Sequence, residues 1–512
     1  VFRITKKILF YFKVILKTLR IISRKSLLAQ VQAQIVADKI KSEFEDIQIE
    51  FVTKETSGDI DLTTPLHQMP DAGVFTNDIR QELLSNNADL AVHSWKDLPV
   101  ELLEGTEIIT TLKRADSRDL LIFKNESLGK QTIKLLTSSP RRKENLSNFL
   151  PNALPWIPSD IEFVDVRGNI QTRLSKLFES EKDGLVIAFA AMKRLLASSK
   201  FLKEESNLLE LLKESKWMLL PLSENPAAPA QGALALEISS KNHDLKNLLK
   251  NIGDEETFDL VIKEREILKK YGGGCHQKIG VSIINSTKGQ ILHIKGETEE
   301  GEKISKSSFE PLESYKNKLK EVKNYFPSSK ESSQIFNRVS ISKAEQKVSG
   351  IKNSGIYVSR GNVIENINSI SNTNLVWTSG VETWLKLASK GIWVNGTSDS
   401  LGENESPPLG LYEDTKWYKL SHLDAHEEKL ELISTYKLVS NELPKDIEKN
   451  SHYYWMSSSS FKFIFEKFPS IENANHSCGL GKTFDEINQI IPGKVYPYQN
   501  YKDWLDKIKR AK

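Results

Sequence analysis

The spacing of apolar positions changes repeatedly along the N-terminal part of the chain. Apolar residues three to four apart predict helices, whereas alternating or continuous apolar runs predict strands. Helices are predicted for Leu27–Ile40 and Thr76–Leu84 and from Pro140 and Ile170 onward. Strands are predicted at Arg20–Ser23, Ile47–Thr53, Ala88–His93, Thr106–Leu112, Leu120–Phe123, Thr132–Leu136, Ile161–Val166 and Gly184–Phe189. Because strands and helices alternate, the predicted fold class is α/β, with parallel or mixed sheets covered by helices.

The pattern changes twice further along the chain. A helix at Glu255–Lys270, followed by short strands near Ile279–Ile284 and Gln290–Lys295, predicts a small α+β domain. Residues 327–352 are rich in Ser, Lys and Glu, which is typical of a linker. Strands then resume and predict a further α/β module, at Gly355–Ser359, Leu375–Thr378, Gly391–Val394 and His452–Met456.

Composition narrows the class of protein. The 512 residues are 39% hydrophobic and 27% charged, as in a soluble globular chain. The 71 basic and 68 acidic residues leave a net charge of 71 − 68 = +3, so the whole chain is no polybasic nucleic-acid binder. Two cysteines exclude a disulfide framework and a Cys-rich zinc site. We therefore expect a cytoplasmic protein that binds neither nucleic acid nor membrane.

The N-terminal residues are both basic and apolar. Lys13 interrupts the apolar run and no small-residue cleavage site follows, which disfavours a signal peptide. We interpret residues 1–18 as a basic extension outside the fold, the alternative being an amphipathic helix that binds a surface. No run reaches about 20 apolar residues, so no transmembrane helix is expected.

Polar and basic side chains follow five of the predicted strands. Ligands of open α/β sheets bind beyond the carboxyl ends of the strands, where these side chains would gather. A cation near a helix start is unfavourable with the helix dipole unless an anion binds there. We therefore predict a cleft for a polyanion, the alternative being a set of solvated surface charges. The segments are Ser23–Ser26, Ser94–Asp97, Thr137–Arg142, Arg167–Arg173 and Lys193–Arg194.

Two residues differ from these cations. Asp97 is a carboxylate among them and could stabilise a cationic intermediate or transfer protons, or else form an ion pair with Lys96 or an arginine. Cys275 follows three glycines, in a loop that could present its thiol, or else it is a small buried hydrophobic residue. Gly479–Thr483 is similar to the end of a P-loop, but His476 occupies the position of a required glycine, which disfavours nucleotide binding.

Segments between about residue 20 and about residue 325 closely resemble the hydroxymethylbilane synthase (porphobilinogen deaminase) family. They are Ser23–Gln30, Ala88–Pro99, Thr137–Arg142, Val166–Leu174, Ala190–Leu195, Pro229–Leu234 and Gly273–Cys275, in the family's order. The resemblance implies two lobes like those of periplasmic binding proteins and a small α+β domain. It also implies a monomeric enzyme of tetrapyrrole (haem) biosynthesis. Such an enzyme joins four porphobilinogen molecules head to tail, releasing ammonia, on a covalently bound dipyrromethane cofactor.

The resemblance also assigns roles to individual residues. It implies that Asp97 is catalytic, assisting the loss of ammonia, and that no metal is needed. The residues implied for cofactor binding are Cys275, which would carry the thioether, with Arg141, Arg142, Ser94, Lys96, Thr137, Ser138 and Ser139. Those implied for substrate binding are Arg24, Ser26, Arg167, Arg173 and Arg194. Each pyrrole ring carries an acetate and a propionate, which arginine binds with strong and geometrically specific hydrogen bonds.

The chain departs from the family pattern at a few positions. Gln68 and Ala72 replace two expected lysines within the loop Pro65–Phe75, which affects the expected anchoring of carboxylates. Ala230 replaces the glycine of a Pro-Gly-Gln-Gly segment, and Lys278 replaces a proline after the cysteine. Asp97 and Cys275 are retained, so the enzyme remains the predicted function.

The C-terminal module resembles uroporphyrinogen-III synthase more weakly, at Val376–Gly380, Gly391–Gly396, Trp455–Ser460 and Cys478–Thr483. That resemblance implies two α/β lobes around a cleft and the closure of hydroxymethylbilane to uroporphyrinogen III. The alternatives are a non-catalytic C-terminal domain, or a two-lobed organic-anion binding protein throughout. The predicted domains are 1–18 (extension), 19–111 plus 218–238 (lobe 1), 112–217 (lobe 2), 239–326 (small domain), 327–353 (linker) and 354–512 (synthase-like).

Overall fold

The computed structural model describes residues 18–56, 76–99, 104–272, 277–317, 319, 322–367, 369–399, 415–425 and 430–511. These fall into two compact units. The first comprises the chain up to Asn148 together with Pro158–Ser282 and Ile294–Ser305. The second comprises Phe149–Ile157, Ile283–His293 and the chain from Lys306 onward. Among the described residues, no helix is both long enough and apolar enough to cross a membrane.

Two mixed five-stranded sheets dominate the first unit. Their strands are β1 (Thr18–Arg24), β2 (Gln48–Lys54), β3 (Leu90–Ser94), β4 (Thr106–Thr110), β5 (Asp119–Phe123), β6 (Thr132–Leu136), β7 (Asp160–Val164), β8 (Gly184–Ala188), β9 (Lys216–Leu219) and β10 (Leu234–Ser239). The first sheet has the order β2-β1-β3-β10-β4 and the second the order β7-β6-β8-β5-β9. In both sheets parallel pairs adjoin antiparallel ones, so the α/β prediction is confirmed.

Helices cover both sheets of this part of the chain. They are α1 (Leu27–Glu43), α2 (Asn77–Leu84), α3 (Pro140–Ala153), α4 (Ile170–Phe178), α5 (Phe189–Leu196), α6 (Ser199–Glu204), α7 (Ser206–Lys213), α8 (His243–Ile252) and α9 (Glu255–Lys269). In α1 the buried residues Ala33, Val36, Ala37 and Ile40 follow the i, i+3, i+4, i+7 spacing of one helix face. They pack on the apolar residues of β1 and β3, which fixes the helix on the sheet.

Helix caps place the strand-to-helix turns. The Ser26 hydroxyl accepts a hydrogen bond from the backbone N–H of Ala29 at 3.4 Å, and the Asn169 side chain accepts from Thr172 at 2.9 Å. Ser and Asn are favoured at this position because their side chains satisfy the otherwise unpaired N–H groups of a first helical turn. Arg24, which ends β1, and Arg167, which follows β7, each lie two residues before one of these caps.

The chain crosses between the two sheets twice, once through residues 111–118 and once through residues 220–233. The two crossings touch each other closely. Gly232 has φ +90°, and a Cβ there would lie 2.4 Å from the carbonyl oxygen of Ala115, so only glycine fits. Ala230 also has a positive φ, of +67°, where the family pattern has a glycine. These crossings are therefore tightly constrained backbone.

A three-stranded sheet follows helix α9. Its strands are β11 (Gly280–Ser286), β12 (Gly289–Glu297) and β13 (Lys303–Pro311), in that order. The first two were predicted. The third was not predicted, because its polar sequence lacks an apolar alternation, and every residue of β13 is exposed or half-buried.

The second unit contains two further sheets. Its strands are β14 (Tyr325–Phe326), β15 (Phe336–Ser340), β16 (Gly355–Val358), β17 (Leu375–Thr378), β18 (Gly396–Thr397), β19 (Trp417–His422), β20 (Glu431–Ser440), β21 (His452–Trp455), β22 (Asn475–Cys478) and β23 (Val495–Pro497). Its helices are α10 (Ala344–Ser349), α11 (Val381–Ala388), α12 (Ser458–Lys467), α13 (Lys482–Ile490) and α14 (Tyr501–Ala511). One sheet has the order β14-β21-β22-β23, and the other β15-β20-β19-β16-β17-β18.

The predicted linker at 327–353 is wrong. Its strand β15 pairs antiparallel with β20, from Phe336 opposite Ser440 to Ser340 opposite Tyr436, and α10 follows. Most side chains of β15 are exposed because it is an edge strand. A polar composition therefore marks a sheet edge here and not a flexible connection. The sheets of the C-terminal module also begin before residue 354, since β14 pairs with β21.

The predicted strand Gly391–Val394 is also wrong. Gly391 has φ +78° and ends α11: its N–H bonds to Ala388, and the N–H of Ile392 bonds back to Leu387. This is a glycine helix cap. The apolar residues after it are buried as the chain approaches the sheet, and strand pairing begins only at Gly396. Burial, not sheet pairing, explains their apolar character.

His476 lies in the core of the second unit. It is fully buried and stacks on Tyr453, with ring centroids 5.4 Å apart. Its Nδ1 accepts a hydrogen bond from the indole N–H of Trp455 at 3.0 Å. Burial lowers the pKa of His476 to about 4, which keeps the ring neutral near pH 7. The residue that replaces the P-loop glycine is thus a core residue.

Candidate active site

The segment after β3 places Lys96 and Asp97. A short 3-10 helix, Trp95–Asp97, follows the strand directly. Trp95 is 1% exposed and packs against Phe258, with ring centroids 5.2 Å apart. A large buried side chain at the start of this turn leaves little freedom to its neighbours. Lys96 and Asp97 are half-buried at the carboxyl edge of the first sheet.

A small cavity opens beside Asp97. Strands β1 and β3 are parallel neighbours, so their carboxyl ends meet at one edge of the sheet. The cavity is lined by the predicted residues Arg24, Ser26, Ser94 and Asp97, together with Leu28, Ala29, Gln32, Thr76, Val92 and His93. Gln32 fixes Ser94 because its Nε2 donates to the hydroxyl at 2.9 Å. Four predicted site residues thus share one concave surface.

Arginines from both sheets surround this edge. Arg173 is half-buried and its Nε donates to the carbonyl oxygen of Gly168 at 2.8 Å. Burial and repulsion by the Arg142, Arg167 and Arg24 guanidinium groups lower the pKa of Arg173 to about 10, whereas Asp97 opposes the shift. Asp97 therefore lies within the field of these arginines. Their positive charge exceeds the negative charge of that one carboxylate.

Arg141 and Arg142 converge on a buried carboxylate that we did not predict. Asp119 begins β5, is 0% exposed and accepts one hydrogen bond from each guanidinium at 2.7 Å. Asn225 and Gln231 each donate to it at 2.9 Å. Burial alone would raise the pKa of Asp119, but the two guanidinium groups and these hydrogen bonds hold it far below its ordinary value. This carboxylate is fully ionised near pH 7.

The guanidinium groups also bond to the backbone. Arg141 donates to the carbonyl oxygen of Pro226 at 2.7 Å, and Arg142 to that of Val186 at 2.9 Å. The side chains are 3% and 6% exposed, respectively, so each is enclosed by the protein. Their role in holding the cofactor stays a prediction.

The three residues after β6 differ in what their hydroxyls contact. Ser138 donates to the carbonyl oxygen of Val166 and accepts from its N–H, both at 2.8 Å. Ser139 accepts from the N–H of Arg142 at 3.4 Å and so caps the first turn of α3. Thr137 is buried and accepts from the N–H of Ser139 at 3.3 Å. These contacts shape the turn that leads into α3.

Lys96 and Arg194 both reach the second crossing segment. The Nζ of Lys96 donates to Oε1 of Gln231 at 3.0 Å. Burial lowers the pKa of Lys96 to about 8, and Asp97 opposes that shift. Arg194 donates to the carbonyl oxygen of Gly232 at 2.7 Å, and burial lowers its pKa to about 10. Both predicted residues are thus tied to one backbone segment.

A second buried carboxylate, Glu237, lies on strand β10 of the first sheet. It accepts from Nε of Arg80 at 2.7 Å and from the Thr106 hydroxyl at 2.6 Å, and His93 lies 2.9 Å away. Sequence reasoning missed both Asp119 and Glu237. A signal was present, because each is a single acidic residue beside or within an apolar strand run, and such a charge must be paired.

Some predictions concern residues outside the described part of the chain. These are Cys275, the extension up to residue 17, and the loop Pro65–Phe75 with Gln68 and Ala72. The described residues nevertheless fit the implied cofactor. Several arginines lie close enough at this sheet edge to repel one another. A ligand that carries several carboxylates would neutralise this excess positive charge.

The fold and the site define an α/β protein with an arginine-rich site for a polycarboxylate and one central aspartate. A family model described as porphobilinogen deaminase, dipyromethane cofactor binding domain, matches residues 19–247. The chain belongs to the porphobilinogen deaminase family. By family, its N-terminal part is a transferase, a hydroxymethylbilane synthase, and residues 19–247 are the domain that binds the dipyrromethane cofactor.

Curated relatives support this assignment. The porphobilinogen deaminase of Caldicellulosiruptor saccharolyticus is 38% identical over 299 residues, which cover 58% of this chain and 93% of the relative. That of Syntrophomonas wolfei is 36% identical over 284 residues, 55% of this chain and 85% of the relative. That of a Nostoc species is 35% identical over 272 residues, 52% of this chain and 77% of the relative. Apart from Phe149–Ile157, the second unit lies beyond the residues that the family model matches.

Proposed function

We propose that the first unit joins four porphobilinogen molecules head to tail and that Asp97 is its catalytic residue. The observation that carries this proposal is the single carboxylate of Asp97 in a cavity that Arg24 also lines, within electrostatic range of Arg173. Positive charge develops on a pyrrole when its amino group leaves as ammonia. An aspartate placed beside that charge stabilises it, and also offers a site for the proton that must be moved.

The surrounding cations bind and orient the acidic side chains of the pyrroles. Arg24, Arg167 and Arg173 are the residues proposed to bind substrate carboxylates, together with Ser26 and Arg194. Arg142, Lys96 and Ser94 are proposed to bind the cofactor, with Arg141 and the hydroxyls after β6. When bound, the dipyrromethane group supplies the acceptor end to which the first porphobilinogen is joined. Charge-assisted hydrogen bonds of this kind fix orientation as well as affinity.

We expect the purified protein to be heavier than its sequence mass of 58.1 kDa by one dipyrromethane unit. Cys275 is the proposed attachment site, because a thioether requires a thiolate that can reach the pyrrole. Cys275→Ser should therefore remove the increment in intact-mass spectrometry. Cys478→Ser is the matched control, since Cys478 is fully buried in the second unit and should leave the increment in place. An active protein without added mass would contradict the assignment.

We further propose that the second unit closes the linear product to uroporphyrinogen III. The support is its pair of α/β sheets and the position of the segments that resemble the synthase. The segments after β17, β21 and β22 follow carboxyl ends of parallel strands, where α/β proteins bind ligands. Arg360, just after β16, donates to the carbonyl oxygen of Met456, just after β21, at 2.8 Å. These strand ends of the two sheets therefore lie close together.

The covalent link between the two units supports the same proposal. The linear tetrapyrrole is unstable and closes by itself to the type I isomer. A second enzyme on the same chain meets it at a raised effective concentration. If the second unit were non-catalytic, its covalent link to the first unit would bring no advantage of this kind.

We expect the whole chain to convert porphobilinogen mainly to the type III isomer. An Asp97→Ala chain supplied with hydroxymethylbilane should also form type III, because the second unit does not use Asp97. Chromatography of the oxidised products separates the isomers, and hydroxymethylbilane without protein gives the spontaneous type I reference. Type I alone from both chains would show that the second unit is not a cyclase.

A further inference from the structure

Gln231 lies in the crossing segment 220–233 and contacts Lys96, the residue before Asp97. It is 1% exposed, and its carboxamide contacts three groups. Nε2 donates to the carbonyl oxygen of Ser117 at 2.7 Å and to Oδ1 of Asp119 at 2.9 Å. Oε1 accepts from Nζ of Lys96 at 3.0 Å. Two acceptors on one side and an ammonium on the other fix the orientation of the amide.

These contacts join the two sheets of the first unit. Asp119 begins β5 in the second sheet, whereas Lys96 follows β3 in the first sheet. Gln231 is thus a bridge between the buried carboxylate that holds two arginines and the lysine that precedes Asp97. Without this amide, the Lys96 ammonium would lose one of its acceptors and its link to Asp119.

The backbone around Gln231 is held from several directions. Its carbonyl oxygen accepts from Nε of Arg114 at 2.8 Å, and the next carbonyl, of Gly232, accepts from Arg194 at 2.7 Å. On the other side, the N–H of Ala230 donates to the buried Glu264 at 2.9 Å. A segment fixed at three consecutive residues presents the carboxamide in one place. Such rigidity is what a residue that positions another needs.

We infer that Gln231 is a positioning residue, which holds the Lys96 ammonium beside Asp97 and is itself anchored on the buried Asp119 carboxylate. The inference rests on the proposed function, because it takes Asp97 as the catalytic residue. Among the described residues, Gln231 is not part of the cavity lining at Asp97, so it acts through Lys96. Its loss should therefore affect turnover more than substrate affinity.

The charges that face Lys96 predict the sign of a pH effect. They are Asp97, Arg142, Asp119 and Arg141, around a half-buried ammonium. A neutral acceptor such as Gln231 favours the charged form of Lys96, so its removal lowers the pKa of Lys96 further. A carboxylate in the same place raises that pKa. In a plot of kcat against pH, the fall on the alkaline side should therefore move to lower pH when the acceptor is removed and to higher pH when a carboxylate replaces it.

The test compares Gln231→Met and Gln231→Glu in the full-length, cofactor-loaded protein. We expect Gln231→Met to lower kcat about tenfold, because a hydrogen bond to a charged group is lost, with KM for porphobilinogen little changed. Its alkaline limb should move to lower pH, and that of Gln231→Glu to higher pH. A merely structural role would lower the active fraction without shifting the two limbs in opposite directions.

Gln34→Met on the exposed face of α1 is the matched control and should behave as the parent chain. Parent kcat and an unshifted profile in Gln231→Met would overturn the inference. Should that variant fail to fold or to carry the cofactor mass, Gln231→Glu decides: an unshifted limb overturns the inference and a raised one supports it. An active Asp97→Ala chain would overturn the proposed function instead. Opposite shifts of the alkaline limb in the two Gln231 variants would still show that Gln231 controls the pKa of Lys96.

Discussion

Asp97→Ala should lose turnover while keeping the cofactor. The carboxylate is the only acidic side chain among those that line the cavity in the described part of the chain. Arg24 lines the same cavity, and Arg173 interacts electrostatically with Asp97. Without it, the charge that develops as ammonia leaves is opposed by cations only. We expect kcat for porphobilinogen consumption to fall by about 10²- to 10⁴-fold, the usual contribution of a positioned acid or base.

Intact mass should be measured on the same Asp97→Ala sample, because it separates loss of chemistry from loss of the cofactor. Asp38→Ala is the matched control: it removes a carboxylate from the exposed face of α1 and should leave kcat unchanged. Near-parent turnover in Asp97→Ala would remove this residue from the mechanism. A missing mass increment would instead assign Asp97 to cofactor assembly.

Asp119→Ala should destabilise the second sheet of the first unit. The substitution leaves the buried Arg141 and Arg142 guanidinium groups without their shared carboxylate. Removing one partner of a buried ion pair costs about 3–5 kcal/mol, because the remaining charge stays buried and unpaired. Hydrogen exchange of the β5 and α3 amides should report this loss locally, which suits a chain of two compact units.

A surface pair in the same helix supplies the control for Asp119. Lys143 of α3 contacts Asp165 at 2.9 Å, and both side chains are a third or more exposed. Exposed pairs contribute about 0–1 kcal/mol, so Asp165→Ala should change the exchange rates little. Equal protection in Asp119→Ala and Asp165→Ala would contradict a stabilising role for the buried carboxylate.

Several parts of the fold and site were predictable from local pattern. Helix α1 and the caps at Ser26 and Asn169 follow from apolar spacing and from hydrogen bonding within a few residues of the chain. The wrong predictions, a linker at 327–353 and a strand at Gly391–Val394, arose where distant contacts decide the structure. Strand β15 is polar because it is an edge, and Ile392–Val394 is apolar because it is buried, and both facts depend on distant parts of the chain.

The sequence by itself determined the alternation of strands and helices in the N-terminal part, the cationic strand ends and, through the resemblance, the family. It also predicts a catalytic role for Asp97. These properties are local, since caps, periodicity and motifs involve neighbouring residues. Only the tertiary structure decided that Arg141 and Arg142 converge on Asp119 and that Gln231 joins Lys96 to that carboxylate. Such contacts span 22 to 135 residues of chain, and their partners are chosen by packing.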